Sequence, residues 1–239
     1  MHYFNSVNEL KLTIIMKKSI LFSVLVVGAT LLLVQCITVH QTCGQNGQVV
    51  KAIPDAVDLG LSVKWANMNV GAKSPEGYGD HFAWGETAAK AAYDWGNYFD
   101  TNDGGNTFTK YNNEGGKTVL DPEDDAAHVN WGGSWRMPTQ AEWQELLNNC
   151  TWTRTTQNGI NGYKVTSNKA GYTDKFIFLP AAGSRYDSDL SYVGFYGNYW
   201  SSSLVEYDSG RAWYLPFYYG SHNLSRLRCS GLSVRPVLP

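Results

Sequence analysis

The chain has 239 residues and nearly balanced charge, 19 basic against 21 acidic, with no basic block of five or more, which excludes an electrostatic nucleic-acid binder. Charged residues are only 17% while nine Trp, 15 Tyr and 24 Gly are present, a composition that excludes a long-helix protein and favours a loop-rich domain with many tight turns. Residues 1–15 carry no clear signal. Met16-Lys17-Lys18 then opens a signal-peptide pattern, a basic start followed by an apolar run from Ser19 to Val34 that is short for a membrane span and gives way to Gln35, His40 and Gln41. Cys36 closes the run where a lipoprotein carries its acylated cysteine. Gln35 departs from the small residue usual before that cysteine, and no A-x-A-like cleavage site is present. The expectation is an exported chain, secreted or held at the outer surface as a lipoprotein, touching a membrane only through a lipid on Cys36. Residues 1–35 form the targeting segment, 36–55 a polar linker, and 56–239 one domain.

The domain opens with VDLGLSVKW, where Val57, Leu59, Leu61 and Val63 alternate as in a strand. A turn cluster at 74–79 precedes DHFAWGET, read as a short aromatic strand. Residues 100–118 are rich in Gly and Asn and predict a long surface loop. Asp121 and Pro122, followed by three acids, predict a short helix capped at Asp121 and ending near Val129. Thr139 and Glu142 form a T-x-x-E capping box, and Trp143, Leu146, Leu147 and Cys150 then share one helical face. Strands are predicted at 163–167, 176–181, 211–217 and 232–237. The fold class is therefore α+β, two short helices around small antiparallel sheets with long loops.

The last 55 residues, from Arg185, contain no Lys, Gln or Met and a single Glu, Glu206, whereas 44–184 hold 22 residues of those four types. Tyr, Ser, Gly, Asn and Asp replace them, the vocabulary of rigid rings and short adaptable polar groups found on recognition surfaces.

Residues 131–147, WGGSWRMPTQAEWQELL, contain Arg136-Met137-Pro138-Thr139 with Glu142-Trp143, which resembles the R-[LM]-P-T-x-x-E-W signature of C-type-lectin-like domains of the formylglycine-generating-enzyme type. VDLGLSVKWANMNVGA (57–72), FAWGET (82–87), GYKVTS (162–167), FLPAAGSR (178–185), GNYWSSS (197–203) and GLSVRPV (231–237) are together similar to the Fibrobacter succinogenes major paralogous domain. The resemblance covers nearly all of 56–238. It implies a C-type-lectin-like fold whose first and last strands pair at the base, a role open to VDLGLSVKW and GLSVRPV. Enzymes of this type bind copper through two cysteines near the C-terminus. Here only Cys229 lies in that region, so the oxidase activity is not carried over.

Chemistry-bearing motifs are otherwise sparse. No G-x-S-x-G, H-E-x-x-H or P-loop string occurs, and the expectation is a non-enzyme without a cofactor. Cys150 reads either as a small buried hydrophobe or as a disulfide partner of Cys229. Asp100, Asn102 and Asp103 form a partial oxygen cluster that lacks the remaining Ca²⁺ ligands of a loop site and reads as solvated loop. Within the C-terminal stretch, Trp200 and Trp213 are expected to anchor the core. Tyr186, Asp187, Asp189, Tyr192, Phe195, Tyr207, Asp208, Arg211, Tyr214, Tyr218, Tyr219, His222 and Asn223 are the expected ligand contacts, Tyr214 because it alternates with Trp213, Leu215 and Phe217 along a strand. The expected partner is a protein or glycan at the cell surface. Lys, Gln, Met and Glu, with Trp, are the residues that codons ending in C cannot encode. Products of diversity-generating retroelements, which mutate adenines near the 3′ end of such genes, are similar in this respect, and Glu206 would then be an unmutated position.

Overall fold

The structure, a computed structural model, describes residues 54–114, 116–217 and 224–239. Cys36, Tyr218, Tyr219, His222 and Asn223 lie outside the described residues. In chain order the elements are β1 (Ala56–Val57), β2 (Lys64–Ala66), α1 (Ala126–Trp131), α2 (Gln140–Asn149), β3 (Cys150–Gln157), β4 (Ile160–Ser167), β5 (Phe176–Pro180), β6 (Ser184–Tyr186), β7 (Asp189–Ser191), β8 (Gly197–Val205), β9 (Asp208–Phe217), β10 (Leu224–Leu227) and β11 (Val237–Leu238). They build small antiparallel sheets ordered β1-β2-β11, β3-β4-β5, β10-β9-β8 and β6-β7, with few helices, an α+β architecture.

The ends of the domain meet. Trp65 of β2 pairs with Val57 on one side and Val237 on the other. The alternating run 57–63 is not one strand as expected. Gly60 takes a φ of +69°, where a Cβ would strike the Tyr172 ring, so the chain bends, only Val57 of the run enters the sheet and β2 begins at Lys64. Leu59 and Val63 still reach the core. FAWGET likewise forms no strand. Phe82 makes one bridge to Leu232, and Trp84 is held by its backbone N–H on the Arg228 carbonyl. The expected strand at 232–237 reduces to isolated bridges followed by β11.

Both helices form, with one change of cap. Pro122–Asp124 is a single 3-10 turn, and α1 is capped by Asp125, whose Oδ1 accepts from the N–H groups of Ala127 and His128. Its Oδ2 accepts from Met137, so the cap also docks the chain leading to α2. Asp121 instead takes the Lys117 ammonium at 2.6 Å. The helix runs on past Val129 to Trp131, where Gly132 at φ +73° ends it. At α2 the capping box is complete, and Glu142 also receives two nitrogens of Arg136.

The β8–β9 hairpin is buried on both faces. Tyr199, Leu215 and Phe217 pack with Trp65, Trp143, Leu146 and Val165. Trp200, Leu204, Ala212 and Tyr214 pack with Phe82, Trp84, Tyr111 and Leu232. Indole N–H groups stitch the layers together: Trp143 donates to the Trp200 carbonyl, Trp84 to that of Ser201, and Trp200 to that of Phe82. Arg235, wholly buried, donates to Asn69, Ala66 and Phe178, and among the described residues no carboxylate forms an ion pair with it. Burial pulls its guanidinium down to about 10.

Candidate functional site

The segment between Gly183 and Gly197 is an excursion from the core whose backbone is fixed from both sides. Arg185 exchanges both backbone hydrogen bonds with Gly231, and Asp187 does the same with Tyr93. Gly183 donates to the Tyr196 carbonyl, Gly194 to that of Ala181, and the Asn161 side chain to that of Gly194. A Cβ on Gly183 would lie 2.2 Å from the Ser191 carbonyl, so only glycine allows this closure. β6 and β7 turn through the two residues Asp187 and Ser188, with Asp187 at φ +53°. Tyr192, a bulky residue, is held at φ +62° in the next turn. A backbone this constrained directs its side chains outward: Tyr186 is 50% exposed, Leu190 44%, Tyr192 61% and Phe195 60%. Asp187 and Asp189 are exposed among them. Five of the expected contacts thus share one excursion. Leu190 was missed because it pairs with Arg185 in a hairpin that the sequence pattern did not resolve.

The other expected contacts lie elsewhere. Tyr207 is 73% exposed at the β8–β9 turn and meets the half-buried Trp213 edge-on, 6.5 Å away. Asp208 and Arg211 form an ion pair there at 3.3 Å. Gly197 pairs with Phe217 at one end of the hairpin and Val205 with Asp208 at the other. At a rise of about 3.3 Å per residue these two ends of the hairpin are about 25 Å apart, and Phe195 precedes the first while Tyr207 stands at the second. Tyr214 is a correction. It is only 8% exposed and packs against Trp200, because β9 has two buried faces where a one-sided strand was expected. Trp213 is corrected in the opposite sense: a register shift in β8 leaves its ring outside both core clusters, with its N–H toward Glu206.

The 100–118 loop contains no helix or strand, but its residues are not all solvated. Asp100 is buried in an ion pair with Arg228 at 2.7 Å. The guanidinium lies 4.5 Å from the Phe108 ring centre and 4.8 Å from that of Trp84, and donates also to the Tyr98 hydroxyl and the carbonyls of Tyr111 and Ser209. Burial pushes the Asp100 carboxyl up. Hydrogen bonds from Thr109 and Lys110 and the Arg228 charge outweigh it and hold the group below its ordinary value. Asp103 is exposed, yet its oxygens accept from Thr101, Asn106 and Thr107, which lower it to about 2. Both carboxylates are already engaged by protein donors. No sequence signal joins Asp100 to Arg228 across 128 positions.

Cys150 and Cys229 are free and buried in different core clusters, so the disulfide alternative is not realised. Burial raises each thiol to about 11. His81 is buried, its Nε2–H donating to the Ala182 carbonyl at 3.1 Å, and desolvation lowers it to about 4, leaving a neutral structural imidazole. No family model, curated protein or solved structure matches the chain.

Proposed function

We propose that this is an exported, non-catalytic protein of the cell surface that binds a protein or glycan ligand, built on a C-type-lectin-like scaffold related to the Fibrobacter succinogenes major paralogous domain. The observation that carries this reading is the 186–195 excursion, where exposed rings and carboxylates stand on a backbone pinned to the core. Pre-set rings of this kind bind without the entropic cost of ordering a loop. Paired terminal strands, two helices and small sheets with long loops support the scaffold assignment. The thiols favour binding over oxidase chemistry: Cys229 is a raised, buried thiol with no second cysteine beside it among the described residues, whereas copper ligation needs thiolates. Retroelement diversification of the C-terminal stretch belongs to the same proposal and is tested by the flanking DNA.

The decisive experiment screens the purified protein against glycans and surface proteins, then repeats any hit with Tyr192→Ala and Phe195→Ala. Loss of binding at unchanged thermal stability is expected. Binding that survives both substitutions overturns the placement of the site. Polymer assembly with no ligand found in the screen would point to a structural surface subunit instead.

A further inference from the structure

Ten large hydrophobic residues are exposed among the described residues, and they are not evenly spread. Four of them, Tyr186, Leu190, Tyr192 and Phe195, fall within ten residues, while Phe99, Val119, Val129, Phe176, Tyr207 and Leu224 stand apart in the sequence. Scattered single residues need no explanation, but a local concentration does.

The polar groups in this stretch are biased. Asp187 and Asp189 are exposed, and among the described residues neither forms an ion pair. Two cations neighbour this stretch, both half-buried and turned to protein acceptors: Arg185 reaches back to the Ser188 carbonyl at 3.4 Å, and Arg226 of β10 donates to the Ser184 hydroxyl at 3.3 Å. Glu76, in the 74–79 turn, already accepts from Gln157 and Asn158 at the β3–β4 turn. From 184 to 196 there is no Asn, Gln, His, Lys or Trp. Carboxylates only accept, whereas guanidinium and ammonium groups only donate. The surface therefore offers ring faces, hydroxyls and two carboxylates outside any ion pair, and its exposed charge is negative.

We infer that this surface takes a cationic polypeptide segment, one that presents Arg or Lys to Asp187 and Asp189. The ring faces of Tyr192, Phe195 and Tyr186 add cation–π attraction, and Leu190 receives the methylene stems. The inference rests on the reading of this excursion as the binding face. A neutral glycan would use the hydroxyls and ring faces but leave the carboxylates of Asp187 and Asp189 without a counter-charge. A small polyamine would leave most of the exposed apolar surface uncovered.

The test is fluorescence anisotropy on the full-length protein with an end-capped Gly-Arg repeat peptide, its Gly-Glu and Gly-Ser counterparts, spermine and a panel of neutral oligosaccharides. Expected is binding of the Gly-Arg peptide alone. It should weaken about tenfold in Asp187→Asn or Asp189→Asn and again as salt shortens the Debye length below about 10 Å. Asn tolerates the positive φ at 187, so the fold is kept and an unchanged thermal midpoint verifies it. Failure of the Gly-Arg peptide to bind, or binding that ignores both Asn variants, overturns the inference. A neutral oligosaccharide lost with Tyr192→Ala but not with Asp187→Asn would overturn it while leaving the binding face in place. Spermine binding as tightly as the peptide would also overturn it. A ligand indifferent to every substitution in 186–195 would remove the binding face itself.

Discussion

In β9, Ala212 and Tyr214 face one core cluster while Leu215 and Phe217 face another. In the excursion at 186–195, three rings of the same types stand in solvent. Both regions are written in Tyr, Ser, Gly and Asp, so composition does not decide between them. Topology does. β9 runs between β8 and β10 with packed layers on both sides, whereas β6 and β7 form a two-stranded sheet whose residues from Tyr186 onward are exposed. A ring is a structural anchor in the first setting and an available contact in the second.

Truncating the inward set is expected to have the largest effect. Trp200→Ala removes a fully buried indole, its edge contact with Tyr214 and the donor to the Phe82 carbonyl. A loss of about 3–5 kcal/mol is expected for Trp200→Ala, and one close to that for Tyr214→Ala. Against a typical domain stability of about 5–15 kcal/mol, that is a third or more of the total for most domains. Urea denaturation followed by circular dichroism measures it. If Tyr214→Ala unfolds at the wild-type midpoint, the division between inward and outward rings is wrong.

Asp100→Asn comes next. It leaves the Arg228 guanidinium buried without its counter-ion, at an expected cost of about 3–5 kcal/mol, softened by the rings and carbonyls around Arg228. The same pair gives a pH dependence. The Asp100 carboxyl is held below its ordinary value of 3.8, so its contribution is fully present above that value and is lost as pH falls through the lower, folded value. Hydrogen exchange across 98–114 should accelerate on acidification below about pH 4 while the β8–β9 amides stay protected. Uniform acceleration over both regions would mean that the loop is not separately latched.

Local signals were legible in the sequence, and long-range ones were not. The Thr139–Glu142 capping box and the apolar face of α2 each need only a few neighbouring residues, and both appear as expected. The surface segment 186–195 was also marked, because Tyr among Ser, Asp and Gly is a local pattern. Asp125 displaced Asp121 as the cap of α1 because its second oxygen also serves Met137, a contact that periodicity cannot register. Tyr214 was misplaced because alternation tells which residues share a face but not whether the opposite face is covered. The Arg228–Asp100 pair joins residues that no local rule connects.

The outward set should leave stability almost untouched. Tyr192→Ala loses a ring contact with Tyr196 at 4.8 Å and little else, so a change of no more than about 0.5–1 kcal/mol is expected in denaturation. Phe195→Ala should behave alike. Binding, in contrast, should fall severalfold in either variant and further in the double variant, read by anisotropy or calorimetry. Coupling between the two is expected, since they lie in one turn closed by the Phe195 N–H on the Tyr192 carbonyl.

The smallest effect is expected at Tyr207, the most exposed large hydrophobic residue described. Exposure alone would nominate it as the first contact to test. It stands, however, at the Val205–Asp208 end of the hairpin, about 25 Å by strand rise from the Gly197–Phe217 end that Phe195 precedes. Its described ring partner is Trp213, itself half-buried, so Tyr207→Ala should shift stability by less than about 0.5 kcal/mol. A single ligand seated on Tyr192 and Phe195 would not reach it, and affinity should be unchanged. Were Tyr207→Ala to weaken binding as much as Tyr192→Ala, the ligand would have to extend along the whole β8–β9 hairpin. The contact surface would then be the hairpin's length instead of one end of it.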